Sequence, residues 1–470
     1  MKAKNYVLTF VLVLLCVLCM PKAAMAEGGS CGPNATWTYA GGELTIKGNG
    51  KVDSNPWEKN SYVKNITNVV VEEGITEFSK MEMFSKCTNL EKVTLPNSLT
   101  NIGYTTFQGC KALKSIVIPK NVTEASAGNT FENSGLTTVT FAEGATKVPT
   151  QLFEDCATLE KVNLPQSIKE LGDSAFENCT SLKEITLPEG LVDIGYTTFK
   201  GCKSLTSIVI PKNVTEASAG NTFENSGLTT VTFAEGATKI PTQLFEDCTT
   251  LEKVNLPQTL KEIEDSAFEN CTGLTKITLP WYLEKVGFYA FKGCTNLKEI
   301  TIYQKAKVDS FAFKNLTGLK IYGKAGSEAQ KIAKSSGFIF ATCKIPALKG
   351  ITYTKGNLKY KVVTDYIGGK GTVMVTGMKK NASSVTIPKT VKLESYNYKV
   401  VKINSKAFYK KSKIKKVTIK STTITSIGKN AFKGINKKAT FKVPKSKYTK
   451  YKRLLTSTTG FAKKTMKVRK

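Results

Sequence analysis

Histidine is absent from all 470 residues. Its absence removes the commonest general base and the usual zinc ligand, which excludes Ser-His-Asp, Cys-His and His-metal chemistries. Acidic residues are scarce in one region only. Residues 346–470 hold 33 Lys plus Arg against Asp365 and Glu394 alone, while the first 345 residues hold 35 of each sign. The whole net charge of +31 therefore resides in the last quarter. No apolar run after the N-terminal segment is long enough to span a bilayer, and no LPxTG-like sorting signal with an apolar tail is present.

The N-terminal segment carries Lys2 and Lys4, an apolar run from Tyr6 to Met20, and Ala24-Met25-Ala26 before Glu27. This pattern reads as a secretory signal over 1–26 with an A-x-A cleavage site, and the run is too short for a spanning helix. Cys16 and Cys19 fall inside it, each preceded by Leu, which argues against a lipoprotein anchor.

What the rest of the chain has is repetition. The stretch Phe199 to Pro211, FKGCKSLTSIVIP, sets a template: Phe, Cys three residues on, Leu three after that, then alternating apolar residues closed by proline. The anchoring residues are Phe84, Phe107, Phe131, Phe153, Phe176, Phe199, Phe223, Phe245, Phe268, Phe291 and Phe313, spaced by 22 to 24. A fixed period in this range predicts a β-rich leucine-rich repeat solenoid, a parallel strand ladder with short helical or irregular returns. Ile208 and Ile210 point to one face of a strand, Ser207 and Val209 to the other. Leu191, Ile194 and Phe199 bring the chain back across the far side of the coil. One strand per repeat at about 4.8 Å gives a rod on the order of 50 Å long.

Ten cysteines remain outside the signal segment, and eight of them occupy one repeat position: Cys87, Cys110, Cys156, Cys179, Cys202, Cys248, Cys271 and Cys294. Ser134 and Ser226 fill the same slot in two repeats, so the column reads as small buried residues and not as a disulfide or metal framework. Cys31 and Cys343, one near each end of the main array, should not pair within one molecule. The recurring Glu154-Asp155 and Glu246-Asp247 read as a solvated face, not a catalytic pair.

Before the repeats, Trp37-Thr-Tyr39 and Leu44-Thr-Ile46 flank Gly41-Gly42, which predicts a β-hairpin and an N-terminal cap over 27–74. Trp37 and Trp57 are expected to cover the apolar end. The solenoid proper is expected over 75–343. Its last part, Gly326 to Phe340, reads as a C-terminal cap in which Ser327 caps a short helix through Lys334, Gly337 stops it, and Phe338 to Phe340 form a closing strand. Within the array, Gly103–Pro165 recurs almost letter for letter as Gly195–Pro257, a shift of 92 residues or four repeats. Such copying adds area or valency to a binding surface and favours interaction over catalysis. No polysaccharide-acting carboxylate pair stands outside the copied positions.

The outward strand positions form candidate ligand ladders. One comprises Thr94, Val117, Thr140, Asn163, Thr186, Val209, Thr232, Asn255, Thr278 and Thr301; its neighbour runs from Lys92 and Ser115 to Lys276 and Glu299. Their short polar groups suit hydrogen bonding to a glycan or an extended polypeptide, although Thr and Val also simply favour strands. Trp281-Tyr282, at the position after the proline that Gln166, Glu189 and Gln258 fill in other repeats, is a further binding candidate, with end-coil packing as the alternative.

From Ala347 the composition changes. A basic β-rich module is expected over 344–395 and a short basic repeat segment with a cap over 396–470, the cap being a helix from Tyr448 to Leu455. Lys410, Lys411, Lys413, Lys415, Lys416, Lys437, Lys438, Lys450, Lys452 and Arg453 are the candidate polyanion-binding residues. Only Arg453 and Arg469 are arginines in this region. A lysine surface gives diffuse, salt-sensitive attachment, so specific nucleic-acid readout is not expected.

The units FxxCxxLxxVxLP followed by I-G-x-x-x-F resemble the BspA-like leucine-rich repeats of bacterial surface proteins. The resemblance covers Ile75 to Leu319 and, with Lys or Ile where Cys and Leu would stand, Ser384 to Pro444. The opening segment, with Cys31-Gly32, Thr36-Trp37-Thr38, Leu44-Thr45-Ile46 and Gly48-Asn49-Gly50, resembles the cap that often precedes such arrays. The resemblance implies a secreted or cell-surface, non-enzymatic adhesion protein that binds host or microbial surface proteins or glycans, with no cofactor. The basic module is then expected to hold it on an anionic cell-wall polymer. The alternative is a soluble secreted effector whose basic tail binds polyanions.

Overall fold

The computed structural model describes residues 27–470 except 61–62, 126–127, 218–219, 304–305 and 367–368. The expected signal segment, with Cys16 and Cys19, lies outside the described residues. Two units are present, one of Met1–Ile300 with Ala306–Leu319, the other of Thr301–Lys305 with Lys320–Lys470.

The first unit starts from a turn that only small residues tolerate. Gly41 (φ +58) and Gly42 (φ +91) occupy the left-handed region and fold Ala35–Ala40 back on Glu43–Gly48 as an antiparallel hairpin. Glu43–Gly48 then pairs in parallel with Asn68–Val71, which pairs with Lys92–Thr94. The cap thus converts an antiparallel hairpin into the first rung of a parallel ladder. Trp37 and Trp57 are buried under it. The Trp57 ring stacks on Phe84 with centroids 5.5 Å apart, and its indole N–H donates to the Met83 carbonyl at 3.0 Å. Both tryptophans cover the open end of the stack, as expected.

Each coil has three sides. The first is the outward strand, in which Ser115–Ile118, Thr138–Phe141 and Lys161–Asn163 pair in parallel and in register, repeat on repeat. Ile208 and Ile210 are buried while Val209, between them, is 57% exposed, the two-residue alternation of a half-buried strand. The second side is a ladder of two-residue strands, among them Lys147–Val148, Glu170–Leu171 and Asp193–Ile194. The third is a tight arc carrying the phenylalanines.

That arc explains much of the repeat sequence. Backbone φ is positive two residues before and two residues after the phenylalanine: Gln151 (+53) and Asp155 (+56) around Phe153, Ser174 (+50) and Asn178 (+56) around Phe176. The later position is filled by Asn, Asp or Gly through most of the array, the residues that bear this conformation most easily. The arc throws every anchoring phenylalanine inward. Their rings stack in one column from Trp57 to Phe313, with adjacent centroids 5.1 to 5.7 Å apart. Each buried ring contributes roughly 1.5–3 kcal/mol by removal from water, and stacking adds about 0.5–1.5 kcal/mol.

The cysteine column runs beside the phenylalanines and is fully buried. Each thiol from Cys110 onward donates to the carbonyl of the phenylalanine one coil back, as in Cys156 to Phe131 (3.0 Å) and Cys179 to Phe153 (3.2 Å). Cys31 and Cys343 are free thiols, as are the eight of the column. Burial pushes the Cys31 thiol up to about 11 and the Cys87 thiol up to about 12, so neither offers a thiolate at neutral pH.

The second unit begins with Lys320–Gly323, helix α1 (Glu328–Ser335) and Ile339–Thr342, which pairs in parallel with Lys320–Gly323. Ser327 stands at the N-cap position, yet its hydroxyl donates to the Lys324 carbonyl (2.6 Å) and caps no helical N–H, a correction to the expected role. An antiparallel meander follows, Thr352–Lys355, Leu358–Thr364 and Thr372–Met378. The chain then returns to parallel coils through Ser384–Ile387, Lys416–Ile419, Thr440–Lys442 and Lys467–Arg469. Phe408 and Phe432 stack at 5.4 Å and reproduce the phenylalanine column in miniature. Helix α2 (Tyr448–Leu454) packs through Tyr451, whose hydroxyl donates to the Ser421 carbonyl at 2.5 Å.

Candidate binding surface

On the first unit, the strand ladder of the outward face is not continuous. It divides between Lys92–Thr94 and Ser115–Ile118, between Glu184–Ile185 and Ser207–Ile210, and between Lys253–Asn255 and Lys276–Thr278. The first two divisions lie 92 residues apart, the same shift that relates the two copied cassettes. At each of these two, an open depression forms: one of about 550 Å³ lined by Thr94, Val117 and Thr140, the other of about 530 Å³ lined by Thr186 and Val209. Val117 and Val209 are the apolar features of this face, 56% and 57% exposed.

The remaining ladder residues divide by exposure. Thr94, Thr186 and Thr278 are exposed, whereas Thr140, Asn163, Thr232 and Asn255 are half-buried. The side-chain amide of Asn163 donates to Thr140 Oγ1 at 3.0 Å, and that of Asn255 to Thr232 Oγ1 at 2.9 Å. These four residues bond to one another across adjacent strands. Thr301 is half-buried and belongs to the second unit. Trp281 and Tyr282, the further binding candidate, are half-buried too.

The exposed aromatics sit elsewhere. Phe288 (41% exposed) stacks on Tyr289 with centroids 3.7 Å apart and faces Phe311 (48% exposed) at 5.6 Å. Lys292 and Lys314 approach the Tyr289 ring at 4.2 and 5.3 Å. The sequence signal was available, since GFYAF replaces GYTTF at this repeat, but the period alone assigns no exposure to it.

The carboxylate pairs are occupied structurally. In the coils of Phe153, Phe176 and Phe245 the residue two before the phenylalanine reaches the glutamate one after it: Gln151 to Glu154 at 2.8 Å, Ser174 to Glu177 at 2.7 Å, Gln243 to Glu246 at 2.6 Å. Asp155 and Asp247 accept from Asn178 and Asn270 on the next coil, both at 2.9 Å. Burial, then the neighbouring acids, lift Glu154 above the ordinary carboxylate range, and burial with Glu269 and Asp247 does the same for Glu246. Among the described residues no group of histidine, cysteine or acid side chains has the arrangement of a metal site.

The second unit gathers the lysines. The coil carrying Lys410, Lys411, Lys413, Lys415 and Lys416 is hydrogen-bonded to the coil carrying Lys437 and Lys438, through Asn436 N–H to Ile414 (3.2 Å) and Thr440 N–H to Lys415 (3.0 Å). All of these side chains are exposed except Lys411, which is half-buried. Lys450, Lys452 and Arg453 lie on α2. The two acids of residues 346–470 are engaged elsewhere: Glu394 pairs with Lys324 at 3.2 Å, and Asp365 accepts from the Lys349 N–H at 3.2 Å. Nothing acidic is left over to neutralise the lysine surface.

The phenylalanine column, the thiol column and the parallel strands describe one repeat design, and it is shared. The family model for the BspA type leucine rich repeat region matches residues 59–159, 127–220, 219–346 and 379–462. The chain belongs to the BspA-type leucine-rich repeat family. Solved structures of similar fold include a leucine-rich repeat protein from Bacteroides ovatus, 24% identical, with 66% of this chain and 98% of that one covered at a TM-score of 0.41. A leucine rich cell surface protein from Faecalibacterium prausnitzii is 23% identical over 66% of this chain and 97% of its own, at 0.34. The pneumococcal vaccine antigen PcpA is 18% identical over 69% and 100%, at 0.36. No curated protein matches the chain. Among the described residues no helix is long and apolar enough to cross a membrane.

Proposed function

We propose that this BspA-type protein is a secreted or surface-held binding protein without catalytic activity. Its first unit presents the strand face, with the paired depressions at Val117 and Val209, to a protein or glycan ligand. Its second unit holds the molecule on an anionic envelope polymer through exposed lysines. The observation that carries the reading is the segregation of charge: 33 cationic residues in 346–470 against two acids, both already engaged within the fold. Such a surface is attractive to any polyanion and its attraction is screened by salt.

Two equivalent depressions on one face support the interaction reading of the first unit, because a second equivalent contact raises avidity without new chemistry. The test uses the full chain and purified anionic wall polymer over a salt series. Retention at low salt, release at high salt, and weakening when Lys410, Lys411, Lys413, Lys415 and Lys416 are changed together to Gln are expected. Binding that ignores salt, or that survives the five substitutions unchanged, rejects the tether.

A further inference from the structure

The chain has only two arginines, Arg453 and Arg469, among its 68 basic residues. Both line the same cleft. It lies beside α2 and has a volume of about 850 Å³, which is within the roughly 300–1,000 Å³ range of small-molecule sites. Its apolar lining is Tyr448, Leu455, Phe461 and Met466. Leu455, Phe461 and Met466 are buried, the latter two to 6% exposure. They therefore form a fixed floor, while Arg453 and Arg469 are exposed at the rim with Lys452, Lys463 and Lys467.

The charge around this cleft has no internal counterpart. No Asp or Glu occurs from 395 to 470, and Glu394, the last acid in the chain, is paired with Lys324. Five like charges around an apolar cavity repel one another, and that repulsion is relieved by an anion seated among them. Elsewhere the chain uses lysine as its cation. The guanidinium differs from it by presenting a planar fork that matches a carboxylate or phosphate through two parallel hydrogen bonds. An apolar floor would be wasted on a hydrophilic polyanion, whereas it suits an alkyl chain.

We infer that this cleft binds one molecule of a single-chain anionic amphiphile, its phosphate or carboxylate head between Arg453 and Arg469 and its alkyl chain along Tyr448, Phe461 and Met466. The site shares Lys452 and Arg453 with the proposed polyanion surface but does not depend on polymer binding. Titration calorimetry of the full chain with dodecyl phosphate, kept below its micelle concentration, tests it. One-to-one binding, at least tenfold tighter than that of inorganic phosphate, is expected. Arg453→Lys with Arg469→Lys should weaken it at least tenfold. Thr449→Trp, an exposed position on the cleft wall, should weaken it by obstruction with no change in the unfolding midpoint. Equal affinity for dodecyl phosphate and inorganic phosphate, many molecules bound per chain, indifference to both variants, or binding to anionic vesicles with none to the monomeric amphiphile would each overturn the inference. Loss of polymer retention in the five-lysine variant with dodecyl phosphate binding intact separates this site from the tether.

Discussion

Asn163 donates its side-chain amide to the hydroxyl of Thr140, 3.0 Å away on the adjacent strand, and the copied cassette repeats the bond between Asn255 and Thr232 at 2.9 Å. Polar groups on the outward face are thus tied to one another as well as turned to solvent. Asn163→Ala and Asn255→Ala should each cost about 0.5–1.5 kcal/mol in denaturant unfolding. Four coils separate them, roughly 19 Å at the strand spacing, so the double variant should show the sum within about 0.5 kcal/mol.

The phenylalanine column makes a larger demand. Phe176 and Phe199 are fully buried, with stacked rings on both sides. Phe176→Ala should destabilise the first unit by about 3–5 kcal/mol through lost burial and a residual cavity. Phe176→Leu should cost clearly less. Thermal unfolding of both variants against the parent checks the order.

Glu154 and Glu246 carry a pH dependence of definite sign. Burial and neighbouring acids raise their folded-state values above the ordinary one, so the charged forms are disfavoured in the folded chain. The penalty is fully present above the raised value and vanishes below the unfolded one. Glu154→Gln and Glu246→Gln should therefore stabilise at neutral pH, by roughly a few tenths of a kcal/mol each after solvent screening. The gain should disappear on acidification through the carboxylate range. Denaturation midpoints at neutral and acidic pH measure it.

Thiol chemistry should be confined to one place. Cys343 is the only half-exposed cysteine among the described residues, and the other nine are buried. Of the ten cysteines in 27–470, a thiol reagent at mildly alkaline pH should label Cys343 alone in the folded protein and all ten after unfolding, as mass spectrometry would count. Cys179→Ser should fold, since serine already occupies this slot at 134 and 226, but at a cost in stability, because the buried Ser226 hydroxyl finds no hydrogen-bond partner there.

Much of the coil was legible because Phe, Cys, Leu and the Ile-x-Ile pair are all buried at fixed period, and burial is what periodicity reports. Ile208, Ile210 and Cys202 fall where the spacing puts them. The left-handed position after the phenylalanine left a trace in Asn, Asp and Gly, but the one before it carries Gln151, Thr197 or Tyr289, whose identities say nothing of φ. The divisions in the strand ladder were hidden too, because Ser115–Ile118 and Ser207–Ile210 are good strands and the break concerns how one coil meets the next. The half-burial of Trp281 and Tyr282 was not legible either, since an aromatic pair reads alike whether it packs inward or outward. The cleft beside α2 joins Leu455, Phe461 and Met466, which follow no period at all.

The cassette of four coils has a consequence for inheritance. Gly103–Pro165 and Gly195–Pro257 are near-identical and 92 residues apart, and both enter and leave the stack at the same point of the coil. Unequal recombination between the two coding segments would delete or add one cassette with the reading frame, the phenylalanine column and the strand register all preserved. Related strains should accordingly carry alleles whose lengths differ in steps of that unit, and each step would change the number of Val117-type depressions by one.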